Sequence, residues 1–336
     1  MIHKFRFPFL LLALGFFLTA CAGAQASRPE PLVIYSGRSE SLVGPIIEQF
    51  EETSGVPVEV RWGDTPQLAA TLLEEGANSP ADVFFAQDPG GLGAVIDRLE
   101  PLPQDVLEPV DARFRDPEGR WVGISGRART VVYNTERLTP DDLPADMRGF
   151  TDPAWRGRIG WAPTNASFQT MVTAMRVMWG EQQTREWLEG IQANDPVVYD
   201  KNTPIVAAVG AGEVDAGFVN HYYLHRFLQE EGENFPARNH FLPGGGPGSL
   251  VMVAGAGVLD TSDNQEAAHQ FLRFLLSPVA QQYFATQTFE YPVVEGVVTP
   301  RELPALSELS PAPVDLADLA DLQGTVRLLR ETGVLP

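Results

Sequence analysis

From Leu32 onward, apolar and polar positions follow two alternating rhythms. Leu32, Val33, Ile34 and Tyr35 make a short continuous apolar run before Ser36 and Gly37, the pattern of a buried strand. Leu42, Val43, Ile46, Ile47 and Phe50 then recur at three- and four-residue spacing, which places them on one helix face. Ser39 or Ser41 is placed to cap that helix. Val56, Val58, Val60 and Trp62 alternate as in a half-buried strand. A helix over 65–75 and a buried strand at Asp82–Phe85 complete a β-α-β-α-β order, which predicts an α/β lobe with a mostly parallel sheet.

A second set of elements begins near Arg129. Thr130–Tyr133 and Arg158–Trp161 read as strands, the latter ended by Pro163. Phe168, Met171, Val172, Met175 and Met178 mark a helix. Val214–Val219 is a short strand leading to Tyr222 and Tyr223, and Leu250–Val253 is strand-like. Ala268, Phe271, Leu272 and Leu275 share a helix face, Pro278–Gln287 forms the next helix, and a last helix falls near 315–331. The Gly-rich stretch 243–248 is a loop. Gly210-x-Gly212 and Gly255-x-Gly257 are incomplete dinucleotide fingerprints and read as turns.

The first twenty residues differ from this pattern. His3, Lys4 and Arg6 precede a twelve-residue apolar run, Phe7–Leu18, and small residues lead to Cys21, the only cysteine. Twelve residues are too few to span a bilayer, which needs about 20, but they suit a secretory leader. The sequence Leu18-Thr19-Ala20-Cys21 resembles a bacterial lipoprotein signal, which implies cleavage after residue 20 and lipidation of Cys21. Residues 21–30 read as a tether. The expected location is outside the cytoplasm, periplasmic or on the outer cell surface, with the membrane touched only through the lipid. A lone cysteine forms no internal disulfide, so the exported part must be held by packing.

The chain has 336 residues, 24 basic and 44 acidic, for a net charge of −20. That charge argues against nucleic acid and anionic membrane surfaces as partners, because phosphate binding needs a basic face. At 44% hydrophobic and 20% charged, the composition is globular, and the length allows two domains.

Enzyme signatures are scarce, with no G-x-S-x-G and no phosphate-loop Gly-Lys. Tyrosine is uncommon, seven in the chain, yet two stand together where a strand gives way to a helix. At such a turn both hydroxyls can converge on one point. An ionised phenol is a hard oxygen donor suited to a hard, highly charged cation, which would displace its proton. The same pair also fits simple packing, with one ring buried and one exposed. His221 and His225 have the i, i+4 spacing of a zinc pair, but no neighbouring Cys, Asp or Glu completes such a site.

Several segments resemble the bacterial ferric-ion-binding periplasmic proteins, the solute receptors of iron ABC transporters. They are Val33–Gly37, Leu73–Gly76, Ser79–Phe84, Ser125–Arg129 with Val132–Thr135, Trp155–Gly160 with Pro163-Thr164, Lys201-Asn202, and above all Asn220-x-Tyr222-Tyr223-x-His225. The resemblance covers about 31–295 and implies a type II periplasmic-binding-protein architecture of two α/β lobes. Each lobe would be a mostly parallel sheet flanked by helices, with the ligand cleft between them. The lobes would comprise 31–128 with 252–288, and 129–251 with 289–336. It also implies a monomer without catalysis that delivers ferric ion to an ABC transporter permease.

In that family two consecutive tyrosines bind ferric ion and a synergistic anion, phosphate or carbonate, completes the shell. Tyr222 and Tyr223 are thereby the implied metal ligands. Asn165, Ala166, Ser167, Asn202, Asn220, Arg127 and Arg38 match positions around the anion, with a helix N-terminus at 165–167 suited to it. Some members add a histidine on the first turn and a glutamate after the Asp-Val-Phe strand. Here Ser39 and Gln87 stand at those positions, with Asp88 beside them. Exogenous anions or water are then expected to complete the shell. Two other readings stay open: the same fold with another cargo (a polyamine, thiamine or a phosphonate), and a secreted hydrolase, for which no nucleophile–base pair can be named.

Overall fold

The computed structural model describes residues 1–3 and 30–336; the leader, Cys21 and the tether through residue 29 lie outside the described residues. Ten strands follow one another: β1 (Leu32–Ser36), β2 (Val58–Trp62), β3 (Val83–Ala86), β4 (Val122–Asn134), β5 (Ile159–Trp161), β6 (Val197–Val198), β7 (Ala216–Asn220), β8 (Ala237–His240), β9 (Val251–Val258) and β10 (Tyr291–Pro292). The helices Glu40–Ser54 and Thr65–Glu75 separate the first three strands. The spatial order is β2-β1-β3-β9-β4-β7-β5-β6, with β8 and β10 also pairing with β4.

The outer strands are parallel, as the β-α-β rhythm predicts: β1 with β2 and β3, and β5 with β6 and β7. The inner pairings are antiparallel: β9 with β3 and β4, and β4 with β7, β8 and β10. The sheet is therefore mixed, because strands that return between its halves run against the rest.

β4 joins the halves. Val122–Ala128 pairs with β9, whereas Arg129–Tyr133 pairs with β7. All thirteen of its residues are buried, including Ser125, Arg127, Arg129, Thr130 and Asn134. Its polar positions hide the strand in the sequence, where only Thr130–Tyr133 looks apolar enough. β10 lies against Ser125 and Gly126 of the same strand. The segment leading to it turns at Phe289, a non-glycine residue with φ of +56°.

Two large apolar cores fill the fold, and the first continues past the junction to Ile205, Val219 and Phe235. One gathers Ile34, Phe50, Phe84, Phe85, Phe271 and Phe284 around the first strands and β9. The other gathers Phe150, Trp155, Trp161, Phe168, Trp187 and Phe218. In the second, Phe150 and Phe218 meet edge to face at 5.2 Å, a favoured aromatic geometry.

Three details depart from the sequence reading. Gly255 and Gly257 are strand residues of β9, not turns: a Cβ at Gly255 would lie 3.0 Å from the Val122 carbonyl, and one at Gly257 would lie 2.9 Å from that of Arg120. Glycine is needed there for close backbone approach. The last helix is broken: a 3₁₀ turn, Leu316–Ala320, ends at Asp321, which caps the helix Leu322–Glu331 by accepting from Gly324 N–H at 2.8 Å. Ser39 occupies the cap position of the first helix but makes no capping bond.

Candidate functional site

Tyr222 and Tyr223 open the helix Tyr222–Glu231 directly after β7, with only His221 between. Their rings stack, centroids 4.2 Å apart and planes at 29°. Tyr222 is fully buried, yet its hydroxyl has no hydrogen-bond partner among the described residues. An unpaired buried hydroxyl costs about 1–3 kcal/mol, so the site holds a polar atom whose hydrogen-bonding capacity the surrounding side chains do not use. Tyr223 borders the cleft, and burial together with Tyr222 raises its pKa well above the usual phenol value, against the pull of Arg38 and Arg127.

The cleft is a cavity of about 550 Å³ between the two halves of the sheet. One wall is the turn Gly37–Ser41 with Trp62, Gly63, Asp64 and Gln67; the other carries Asn165, Lys201, Thr203, Tyr223 and Arg226. The turn passes tightly over the next helix, since a side chain at Gly37 would overlap Thr65. Ser39 is exposed on this wall.

Behind the cavity lies a network centred on Ser167. Its Oγ accepts from Gln87 Nε2 at 2.9 Å, from Arg127 Nη1 at 3.1 Å and from Asn220 Nδ2 at 3.1 Å. Asn165 caps the helix Ala166–Trp179 by accepting from Ser167 N–H, and its Oδ1 also accepts from Asn202 Nδ2 at 3.1 Å. Asn165, Ala166, Ser167, Asn202, Asn220, Arg127 and Gln87 are therefore one assembly drawn from five distant stretches. Gln87 is engaged with Ser167 rather than free. Asp88 caps the short helix Pro89–Ala94; its Oδ2 is buried without a partner, and burial raises its pKa against the opposing charge of Arg127.

Arg38 is not free for an anion. It is 2% exposed, and its Nη2 donates to both Glu290 oxygens at 2.7 Å. Glu290, also fully buried, accepts in addition from Ser125 Oγ at 3.2 Å and Thr288 Oγ1 at 3.0 Å, with Arg127 Nε 3.9 Å away. Burial works against the charge of Arg38, but Glu290 and the two phenols outweigh it and raise its pKa. Arg129, two residues along β4 from Arg127, donates to Asn220 Oδ1 at 3.1 Å and leaves Nε and Nη2 buried without partners. Burial and Arg127 push its pKa down to about 9, so it remains a cation at neutral pH.

His221 and His225 form no metal pair. Ala128 N–H donates to His221 Nδ1 at 3.1 Å, so Nε2 carries the proton and donates to the Phe289 carbonyl at 2.7 Å. Both nitrogens are committed to backbone, and burial followed by His225 lowers the pKa to about 3. His225 stacks on Phe289 at 4.7 Å. No group of three or more His, Cys, Asp or Glu suited to a metal occurs among the described residues. Sequence reading missed Glu290 and Arg129. The i, i+2 spacing of Arg127 and Arg129 signals a shared strand face, whereas nothing local marks Glu290.

A two-part α/β fold with a polar cavity at the junction, crossed by linking strands, is the architecture of a solute receptor. Residues 45–311 match the model of the bacterial extracellular solute-binding protein family, and the chain belongs to that family. It is 33% identical over 322 residues to the major ferric iron-binding protein of Neisseria meningitidis serogroup B, covering 94% of this chain and 96% of the relative. It is 33% identical over 334 residues to the Fe(3+)-binding periplasmic protein of Serratia marcescens, covering 98% and 97%. Among solved structures, iron-bound HitA from Pseudomonas aeruginosa is similar with a TM-score of 0.87 at 33% identity, covering 91% of this chain and 100% of that one.

Proposed function

We propose that the protein captures ferric iron between its two lobes and hands it to an ABC transporter permease, with Tyr222 and Tyr223 as phenolate ligands. The observation that carries this reading is the stacked pair itself. Tyr223 borders the cleft with Tyr222 stacked on it, and the buried Tyr222 hydroxyl has no partner among the described residues. A trivalent cation would take both oxygens and displace their protons. The relatives' names point to the same cargo.

The first lobe adds neither imidazole nor carboxylate at the expected positions, since Ser39 and Gln87 stand there. Two phenolates offset two of three charges, so a synergistic anion, carbonate or phosphate, completes the shell. Its supports are Asn165, Ala166 and Ser167 at a helix N-terminus, with Asn202, Asn220 and Arg127 behind them. Arg38, already paired with Glu290, acts on the phenols instead. The receptor works as a monomer, exported and anchored through Cys21, with lobes divided near residues 128 and 252.

The test is a ferric titration in anion-free buffer, repeated with carbonate, phosphate and citrate, followed by the visible absorption of a phenolate–ferric complex. The expected result is a band that needs an anion. Absence of any band under all conditions would refute the phenolate site. Equal affinity with and without every anion would show that the protein supplies the missing ligands itself.

A further inference from the structure

Three guanidinium groups, those of Arg38, Arg127 and Arg129, are at most 2% exposed; Arg38 lines the same cavity as Tyr223, and Arg127 and Arg129 bond Ser167 and Asn220 behind it. Among the described residues, four of their N–H positions have no partner: Arg38 Nε, Arg127 Nε, and Arg129 Nε and Nη2. Asp88 offers weak compensation, because burial favours its neutral form. Glu290 is the buried carboxylate in contact with this layer, bonded to Arg38 through both oxygens and 3.9 Å from Arg127.

Glu290 is also fixed from every side. Ser125 Oγ on β4 and Thr288 Oγ1 donate to it. Its neighbour Phe289 is gripped through its carbonyl by His221, the residue before Tyr222. The pair of backbone positions 289–290 thus touches the tyrosine turn on one side and the Arg38 turn of the opposite wall on the other.

We propose that Glu290 is a positioning residue for iron capture: it holds Arg38 against the phenols and offsets part of the guanidinium charge that would oppose a trivalent cation. The inference rests on the phenolate reading above. Uncompensated, three buried positive charges would repel ferric ion in a low-dielectric setting. With Glu290 in place, Arg38 is held on the wall of the cavity that Tyr223 also lines, and the net positive field on the metal is reduced.

The experiment compares wild type, Glu290→Gln and the double variant Arg38→Gln/Glu290→Gln, each titrated with ferric nitrilotriacetate in bicarbonate buffer. Removing one partner of a buried pair can unfold a protein, so the double variant, which keeps the net charge, decides. A merely structural pair predicts a folded double variant with wild-type iron binding. The proposal predicts roughly 10–100-fold weaker binding, the scale of outer-shell partners. It also predicts a phenolate-to-iron band moved to longer wavelength, because a phenolate without its cationic neighbour is a higher-lying donor. A wild-type band with an unchanged double variant would overturn this inference alone. No band in the wild type would remove the phenolate site and this inference with it.

Discussion

Gln87 Nε2 and Ser167 Oγ meet at 2.9 Å across the cleft. They come from opposite halves of the sheet, one following β3 and the other opening the helix after β5. Ser167 Oγ thereby accepts from both walls, and it is the common acceptor for Gln87, Arg127 and Asn220.

Ser167→Ala would leave two buried donors, on Arg127 and Asn220, and the half-buried Gln87 amide without that acceptor. Each unpaired buried group costs about 1–3 kcal/mol, although relaxation shares the loss. The expected outcome is a lower thermal midpoint without iron, together with weaker anion-dependent iron binding. Thermal unfolding with and without ferric carbonate measures both. A midpoint equal to wild type would show that water replaces the hydroxyl without loss.

Tyr222→Phe should move stability and binding in opposite directions. Its hydroxyl is buried and unpaired, so its removal is neutral or stabilises the iron-free protein by about 1 kcal/mol. Loss of an anionic ligand should weaken ferric binding by more than the roughly 10–100-fold typical of outer-shell changes. Urea unfolding of the apo variant and a competitive iron titration test the two halves. Retained iron affinity in the double variant Tyr222→Phe/Tyr223→Phe would reduce the pair to packing.

Acid should destabilise the fold through His221. Its folded pKa of about 3 lies below the unfolded value near 6.5. The unfolded chain therefore binds the extra proton first, so this contribution is complete above pH 6.5 and is lost as pH falls toward 3. For this residue alone the loss between pH 8 and pH 4 is about 3 kcal/mol. His225, with a pKa lowered to about 4 by burial, acts in the same direction. His221→Asn should flatten the acid limb of midpoint against pH; an unaltered slope would assign acid sensitivity elsewhere.

Cys21→Ser should release the protein from the membrane fraction or block its processing, as the order of basic start, apolar run and Ala20-Cys21 implies. Cell fractionation reads the result. Unchanged membrane retention with normal cleavage would rule out the lipid anchor.

What could be read without a structure followed physical range. The strand-to-helix turn at Tyr222 was legible because an apolar strand, a polar break and a helical pattern lie within a dozen residues. The outer parallel strands were legible for the same reason. β4 was not, because a strand buried on both faces that carries Ser125, Arg127 and Arg129 breaks the apolar pattern on which strand recognition rests. The Arg38–Glu290 pair spans 252 positions, and no periodicity links residues so far apart. Arg38 therefore looked available for an anion. The i, i+4 spacing of His221 and His225 shows a helix face but not the backbone groups that take the His221 nitrogens.

The pairing of β4 with β9 sets the mechanics of the junction. Ala128 pairs with Val251 and Arg127 with Met252, with a register shift only between Gly123 and Ser125. Two antiparallel strands joined along their length make a ribbon that is stiff to stretching and to sliding, but compliant to bending and twist. Bending such a ribbon keeps its ladder bonds intact, so a hinge motion here would store little elastic energy. Such a motion would have in effect a single soft coordinate. Any balance between open and closed forms would then be left to the contacts made in the cleft, and the cargo that supplies them would set the resting position.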